Sequence, residues 1–330
     1  MDNAYITGAT GAIGMALVEL LLKKEVNTTV FVRENSKRIK QFDAFEEEIK
    51  NGRLKIVFCA LNELSALDAA KLINLNAHES AFFHLGWDGT FGASRNDTEI
   101  QEKNIIYTLD AVRLAKKIGC DTFVGAGSQA EYGRLSGKVS PNTQALPENE
   151  YGRCKLEAGE KSRALCRELH IRHKWARILS VYGPYDGDRT MIMSVISALF
   201  NKKNIELTKG IQTWDYIFSY DAANALYLIS DSKRTDFKTY CIGSGIERQL
   251  RDYIEEIADC MRADRHLLQF GAVPYTDKQV MRLCADIHAL VNDTGFEVTY
   301  SFREGIRKTI DWYTSWQKDG NEEYNVGKEW

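Results

Sequence analysis

The chain lacks the features that mark several large classes of protein. It has only four prolines in 330 residues and no low-complexity segment, which argues against a flexible linker between independent domains. No apolar run approaches the length of a membrane span, and the N-terminus enters a predicted strand at once, without room for a signal peptide. We therefore expect a cytoplasmic protein with no membrane partner.

The net charge is also small, and the cysteines form no recognisable motif. A net charge of -3 gives no electrostatic reason to bind nucleic acid. The seven cysteines form no C-x-x-C pair, which predicts free, mostly buried thiols in a reducing compartment and no metal site. What remains is an ordinary globular composition, long enough for one large domain with an appended lobe, or for two domains.

The rest of the chain is organised around a glycine-rich turn near the N-terminus. An apolar run ends at Gly8, Gly11 and Gly14, which stand three apart, and a helical pattern follows. In such a turn the first glycine permits a tight bend, the second lets an anion approach, and the third lets helix and strand pack. A pyrophosphate would sit at the helix N-terminus, although a plain strand–helix turn is the alternative. The predicted cofactor-binding residues here are Gly8, Thr10, Gly11, Ala12, Ile13 and Gly14.

Basic residues close the second predicted strand, 28–32. Proteins that select NAD place an acidic residue there to bind the ribose diol, whereas this chain has Arg33, with Lys37 close behind. Such a cluster suits a 2′-phosphate and favours NADP(H), with NAD as a possibility because Glu34 is adjacent. The alternative is a solvated charged loop.

Polar and aromatic residues follow the fourth predicted strand, 80–85. His84 would lie along the nicotinamide half of the cofactor, and we expect a packed histidine whose backbone matters more than its ring. Trp87 either walls the substrate pocket or only packs. The long helical pattern over 98–118 contains Asn104, a polar residue that either faces water or has a role at the site.

The strongest chemical signal combines a serine with a tyrosine–lysine pair. Ser128 follows the fifth predicted strand, at the edge of a parallel sheet where α/β proteins bind ligands. Tyr151 and Lys155 stand four apart at the start of a predicted helix, so the ammonium can lie beside the phenol. A nearby cation would lower the phenol pKa from about 10 toward the working range of an acid or base.

The order of predicted elements indicates an α/β fold, a doubly wound parallel sheet with a smaller C-terminal substrate lobe. We expect a dinucleotide-binding domain over 1–184, ending just after a sixth strand at Tyr182-Gly183-Pro184. Residues 185–330 would form the substrate lobe, interleaved with the last sheet elements, and 213–242 would return to the first domain.

Taken together, these motifs resemble the extended short-chain dehydrogenase/reductases, the NAD-dependent epimerase/dehydratase family that acts on nucleotide sugars. Within that family the segment 127–133 and the late Trp214-Asp215-Tyr216 look most like 4-keto-6-deoxysugar reductases of the CDP-abequose kind. The resemblance covers nearly the whole chain.

The resemblance also implies roles for individual residues. Tyr151 would give a proton to the substrate oxygen, Ser128 would hydrogen-bond that oxygen, and Lys155 would bind the nicotinamide ribose. Asn104 would hold Lys155 through water. Tyr182 and Pro184 would contact the cofactor. Similar enzymes commonly form dimers, and this chain would do so through the helices at about 98–118 and 149–170.

Two departures from the family pattern carry information. Dehydratases of the family place Asp and Glu directly after the Ser/Thr, whereas this chain has Gln129 and Ala130, which offer no proton site for elimination. The next residue, Glu131, is expected to point away from the sugar. Many members have an arginine for the diphosphate where this chain has Trp214. The predicted substrate-binding residues are Trp87, Gln129, Arg189, Lys209, Trp214 and Arg282.

The sequence therefore predicts NADPH-dependent reduction of the 4-keto group of a nucleotide-linked 4-keto-6-deoxyhexose. An NAD-dependent nucleotide-sugar 4-epimerase needs the same serine, tyrosine and lysine and is the main alternative. A non-catalytic NADP-binding redox sensor is a further alternative, although sensors of this type lack the tyrosine–lysine pair.

Overall fold

A computed structural model describes residues 1–73, 79–135, 137–233, 236–276 and 279–318. Across these ranges no helix has the length and apolar character needed to cross a membrane. All seven cysteines are free thiols, and all but Cys260 are buried, as expected from their spacing.

Strands and helices alternate through the first half of the chain. The strands in the described ranges are β1 (Asn3–Thr7), β2 (Asn27–Val32), β3 (Leu54–Phe58), β4 (Ser80–His84), β5 (Thr122–Ser128), β6 (Lys138–Val139), β7 (Arg172–Ile178), β8 (Ser180–Tyr182), β9 (Ile205–Leu207), β10 (Thr213–Trp214), β11 (Tyr216–Phe218), β12 (Phe237–Ile242), β13 (Arg248–Gln249), β14 (Leu268–Phe270) and β15 (Cys284–Ala285). The α-helices are α1 (Ala12–Lys23), α2 (Glu46–Lys50), α3 (Thr98–Lys117), α4 (Glu150–Glu168), α5 (Met191–Phe200), α6 (Ser219–Asp231), α7 (Leu250–Met261), α8 (His288–Thr294) and α9 (Phe302–Lys318).

Seven strands form one parallel sheet in the order β3-β2-β1-β4-β5-β7-β12. The chain runs outward from β1 to β3 and then crosses back to β4, so the strand order reverses between β1 and β4. Ligands of open α/β sheets bind at the carboxyl ends of the strands beside such a reversal. Thr7 and His84 are register partners at that point. The predicted doubly wound fold is confirmed.

Helices cover both faces of this sheet because each strand buries side chains on both sides. On one face α1 and α6 pack through an apolar cluster that includes Leu17, Val18 and Leu226. On the other face α3 and α4 pack over aromatic strand residues that include Phe82 and Phe123. Both layers are closed, which leaves the strand ends as the place for a ligand.

A second core lies in the C-terminal part of the chain. It joins α5, α7 and α9 with the parallel pair β9 and β14, through buried residues such as Ile196, Ile257 and Ile306. Strand β12 pairs with β7 in the main sheet, and α6 packs beside α1. The division of the chain into two domains at residue 184 stays a prediction.

Two segments with a regular sequence pattern are interrupted in the structure. Residues 36–51, whose pattern is helical, form a 3-10 segment, Ile39–Phe45, followed by the short α2. The extended run over 214–218 is broken at Asp215, whose buried carboxylate accepts hydrogen bonds from the backbone N–H groups of Ser244, Gly245 and Ala285. That carboxylate ties the loop after β12 and strand β15 to the break between β10 and β11.

Candidate active site

The three glycines of the first turn occupy three different environments. Gly8 has a φ of +73°, and a Cβ there would lie 2.6 Å from the backbone nitrogen of Gly86. A Cβ on Gly14 would collide with the carbonyl oxygen of Gly8. A Cβ on Gly11 would have its nearest neighbour 3.8 Å away, so this residue faces open space. The outer glycines therefore serve the protein's own packing, and the middle one leaves room for a ligand.

Helix α1 begins directly at this open space. Gly11 is its N-cap and has no side chain to satisfy the first backbone N–H groups, while the carbonyl of Gly11 accepts from Met15. The free N–H groups and the positive end of the helix dipole suit a pyrophosphate. Thr10, Ala12 and Ile13, at the start of α1, are half-buried. These residues fit a nicotinamide dinucleotide.

The basic cluster after β2 is divided between solvent and the turn. Arg33 and Lys37 are exposed. Arg38 is half-buried, and its Nη1 lies 3.5 Å from the carbonyl oxygen of Thr10 and 3.4 Å from that of Tyr185. One guanidinium thus lies against the glycine turn, and two further cations face solvent after the end of β2.

His84 is packed, and its ring nitrogens are both hydrogen-bonded. Nδ1 lies 2.9 Å from the hydroxyl of Thr7, and Nε2 lies 3.2 Å from that of Thr108. Burial, with the charge of Lys155, lowers the pKa of His84 to about 3. The ring is neutral at physiological pH, and proton transfer by it has no support.

Asn104 holds the loop that follows β4. Its amide donates to the carbonyls of Asp88 and Ile100, and its oxygen accepts from the Asp88 backbone N–H at 2.7 Å. Its direct contacts are therefore with the loop, and a link to Lys155 through water stays a prediction. Trp87, just before that loop, donates its indole N–H to Gln101 at 2.8 Å.

Ser128 and Tyr151 meet at the carboxyl end of β5. Ser128 lies close enough to Tyr151 to lower the pKa of its phenol, and Asn149 caps α4 so that Tyr151 enters the first helical turn. Ser128 is buried and Tyr151 half-buried. Beside them, the buried amide oxygen of Gln129 has no hydrogen-bond partner among the described residues. The arrangement can hold a carbonyl oxygen between two hydroxyl groups.

Lys155 differs from the sequence prediction in where its ammonium lies. Nζ donates to the carbonyl of Ala126 at 2.7 Å and lies 3.8 Å from the ring centroid of Trp87. The centroid of the Tyr151 ring is farther away, at 5.8 Å. Burial lowers the pKa of Lys155 to about 7, against an attraction to Glu131. The lysine is therefore a weaker cation than the helix spacing alone suggests.

The expected lowering of the Tyr151 pKa was wrong. Burial raises the pKa of this phenol above its usual value. The hydrogen bond from Ser128 and the positive charge of Arg95 act in the opposite direction, while Glu131 adds to the rise. Desolvation outweighs the charged neighbours because the ring lies inside the cleft.

Glu131, which the sequence predicted to point away from the sugar, is turned into the core. Its side chain is fully buried and accepts from the Ser128 backbone N–H at 2.8 Å and from the indole of Trp175 at 3.0 Å. Its other oxygen pairs with Arg177 at 2.6 Å. A carboxylate with three protein donors supports the Ser128 turn and cannot also reach a sugar.

Sequence reasoning missed Arg95. This half-buried residue lies in a 3-10 segment, Gly92–Asn96, and its guanidinium carbon is 4.1 Å from the centroid of the Tyr151 ring. Its Nη1 donates to the carbonyl of Thr90 at 3.1 Å. No local pattern marks it, because the loop reaches Tyr151 only through the tertiary fold.

Tyr182 differs from the expectation that its side chain meets the cofactor. Its ring is buried in the second core against Phe302 and Phe218, and its hydroxyl donates to the carbonyl of Phe302 at 3.2 Å. The packing of α9 on β8 takes the ring away from the strand ends. Pro184, two residues later, is also buried.

Four of the predicted substrate-binding residues lie in the C-terminal part of the chain. Arg282 is bound through two hydrogen bonds, of 2.6 and 2.8 Å, to the carboxylate of Glu247. Trp214 donates its indole N–H to the hydroxyl of Ser180 at 2.7 Å. Arg189 and Lys209 are exposed. The segments that carry Trp214 and Arg282 adjoin, because Thr213 and Arg282 form a β-bridge.

A cavity of about 1080 Å³ lies in the C-terminal part of the chain. It is bounded by α5, the β9 segment and the start of α7, and it contains none of the residues around Tyr151. Its polar lining includes Gln212, Gln269 and Ser194, and its apolar lining includes Met191 and Leu250.

Comparison with known proteins identifies the class. The NAD dependent epimerase/dehydratase family matches residues 4–243, more than two thirds of the chain. The chain therefore belongs to this family of enzymes, and the resemblance seen in its motifs is confirmed.

Individual relatives cover much of the chain at low identity. CDP-abequose synthase of Salmonella typhimurium is 23% identical over 314 residues, covering 94% of this chain and 97% of the relative. A dTDP-glucose 4,6-dehydratase of Xanthomonas campestris is 27% identical over 64% of this chain and 66% of its own. The solved UDP-glucuronic acid 4-epimerase of Bacillus cereus in complex with NAD superposes with a TM-score of 0.82 at 20% identity, over 98% of this chain and all of that one. This last likeness supports the fold.

Proposed function

We propose that this protein reduces the 4-keto group of a nucleotide-linked 4-keto-6-deoxyhexose with NADPH. One observation carries the proposal: Ser128 lies close enough to Tyr151 at the sheet edge to lower the pKa of its phenol, while the carboxylate of Glu131 is locked in the core. The pair suits a carbonyl oxygen, and the turn after Ser128 offers no acid or base for elimination.

Two neutral side chains next to Ser128 argue against dehydration. Loss of water from a hexose nucleotide requires a group that removes a proton and another that protonates the leaving hydroxyl. Gln129 and Ala130 stand where such groups would be needed, and neither titrates near neutral pH. The amide oxygen of Gln129, which no described residue engages, can instead accept a hydrogen bond from a sugar hydroxyl.

The residues around Tyr151 divide the work of a ketone reduction. When bound, the nicotinamide cofactor supplies the hydride. Tyr151 donates its phenolic proton to the substrate oxygen, and Ser128 stabilises the developing negative charge by a hydrogen bond. Lys155, buried beneath Trp87, binds the nicotinamide ribose and Trp87 forms a wall of the substrate site.

The cofactor preference rests on the basic cluster. Arg33, Lys37 and Arg38 offer three cations where NAD-selective proteins need a carboxylate, and Arg38 already lies against the glycine turn. A 2′-phosphate is well matched by guanidinium groups. The cofactor is therefore NADP(H).

The cavity of the C-terminal part is the place for the nucleotide of the substrate. Its amides and apolar surfaces suit a base and a ribose. Lys203 lines this cavity and is a cation available to the diphosphate, and Arg282 would be a second one if released from Glu247.

Two copies of the chain would associate through α3 and α4, where Ile106 is a large apolar side chain, 57% exposed.

A second candidate, an NAD-dependent nucleotide-sugar 4-epimerase, is favoured by the solved epimerase that superposes over 98% of this chain. The two functions differ in cofactor use, since an epimerase regenerates its cofactor while a reductase consumes it.

To distinguish them, the purified protein is assayed with CDP-, dTDP-, GDP- and UDP-linked 4-keto-6-deoxyhexoses, and the absorbance of NADPH is followed. Consumption with one of them is the expected result. Epimerisation of an unmodified hexose nucleotide without net NADPH consumption would replace the proposal with the epimerase.

A further inference from the structure

We propose that Arg95 is a positioning residue that keeps its guanidinium over the ring of Tyr151 and stabilises the phenolate formed during catalysis. The guanidinium carbon lies 4.1 Å from the ring centroid, closer than the ammonium of Lys155 at 5.8 Å. This role rests on the proposed function only in that Tyr151 transfers the proton.

The loop that carries Arg95 is held in place by several hydrogen bonds. The fully buried Gln101 donates to the carbonyls of Gly89 and Ser94 and accepts from the indole of Trp87. The hydroxyl of Ser94 donates to the carbonyl of Phe91. Because Gln101 of α3 ties this loop at Gly89 and at Ser94, the fold holds the segment that places the guanidinium over Tyr151.

A cation over this ring favours the ionised form of the tyrosine. It attracts the neutral ring weakly through the quadrupole, and it attracts a full negative charge spread over oxygen and ring more strongly. The other charges that face Tyr151 are Glu131, which opposes ionisation, and Lys155, which is turned toward Ala126 and Trp87. Arg95 is a guanidinium and keeps its charge where a buried ammonium loses it.

The sign of the effect follows from this arrangement. An opposite charge at this range lowers the pKa of an acid by roughly one to three units. Removal of the charge at Arg95 therefore raises the pKa of Tyr151. A tyrosine with a higher pKa is a poorer proton donor in reduction, and a larger share of it stays protonated when the reverse reaction needs the phenolate.

The test compares Arg95→Met, which keeps length and removes charge, with Arg95→Lys, which keeps charge. The ionisation of Tyr151 is followed in a pH titration by the ultraviolet absorption of tyrosinate. The contribution of Tyr151 is the difference in absorption between each protein and its Tyr151→Phe counterpart. We expect the midpoint to rise by about one pH unit in Arg95→Met and to return toward the original value in Arg95→Lys. Arg113→Met, which removes an exposed arginine paired with Asp110 on α3, is the matched control.

A midpoint unchanged in a folded Arg95→Met protein, or shifted equally by Lys and Met, would overturn the proposal. Steady-state kinetics of the reverse reaction add a second readout. At saturating NADP⁺ the rate at which the reduced sugar nucleotide is oxidised should rise with pH through the Tyr151 pKa. In Arg95→Met this rise should occur at a higher pH. A higher KM for the nucleotide sugar with an unmoved profile would instead make Arg95 a substrate ligand. The absorption measurement needs no substrate, so it stays decisive even if the proposed reaction is wrong.

Discussion

Replacing Glu131 with glutamine tests whether this carboxylate supports the site or acts in it. The side chain is fully buried, and its partner Arg177 has a side chain only 10% exposed. Removing one member of a buried ion pair leaves the other charge uncompensated, at a cost of about 3–5 kcal/mol. An unfolding entropy of about 2 cal/mol/K per residue gives about 0.7 kcal/mol/K for a chain of this length. The expected fall in Tm is therefore about 4–7 °C.

Thermal unfolding followed by circular dichroism measures this change. Glu148→Gln is the matched control, because Glu148 also pairs with an arginine, Arg134, yet both side chains are 44% exposed. An exposed pair contributes about 0–1 kcal/mol, so the control should lose no more than about 2 °C.

Activity separates the two roles of Glu131. A glutamine oxygen can still accept from the Ser128 backbone N–H, so reductase turnover should stay within about tenfold of the original value when assayed below the unfolding temperature. Loss of a general acid or base costs about two to four orders of magnitude. A protein of unchanged Tm that has lost activity by that larger factor would refute the structural role and make Glu131 a chemical group.

Two further substitutions test the remaining assignments. Tyr151→Phe removes the proton donor and should lower turnover by about two to four orders of magnitude with NADPH affinity unchanged. Lys155→Ala should lower both turnover and cofactor binding. An active Tyr151→Phe enzyme would contradict the role of the phenol. Arg33→Asp places a carboxylate at the end of β2 and should reverse the preference from NADPH to NADH in a binding titration, and equal binding of both cofactors by the original protein would argue against the 2′-phosphate site.

The sequence predicted the parts of the site that depend on local spacing. Tyr151 and Lys155 lie on one helix face because they are four residues apart, and Ser128 lies at a strand end because an apolar run stops there. The glycine turn was predictable for the same reason, since its three glycines fall at fixed intervals.

The parts that depend on long-range packing could not be predicted. Arg95 reaches Tyr151 only because Gln101, on another element, fixes its loop. The direction of the Lys155 ammonium is set by the carbonyl of Ala126 and the ring of Trp87, neither of which the helix spacing reveals. The ring of Tyr182 lies in the second core because α9, more than 100 residues later, packs against it.

A deuterium label on the transferred hydrogen of NADPH tests most directly whether the protein reduces a ready-made 4-keto sugar nucleotide. The substrate is the 4-keto-6-deoxyhexose nucleotide with which the protein oxidises NADPH. The product is analysed by mass spectrometry and by NMR at C4. The expected result is one deuterium at C4 for each NADPH oxidised. A product without label, formed from an unoxidised hexose nucleotide by protein that retains bound NAD, would contradict reduction and identify an epimerase.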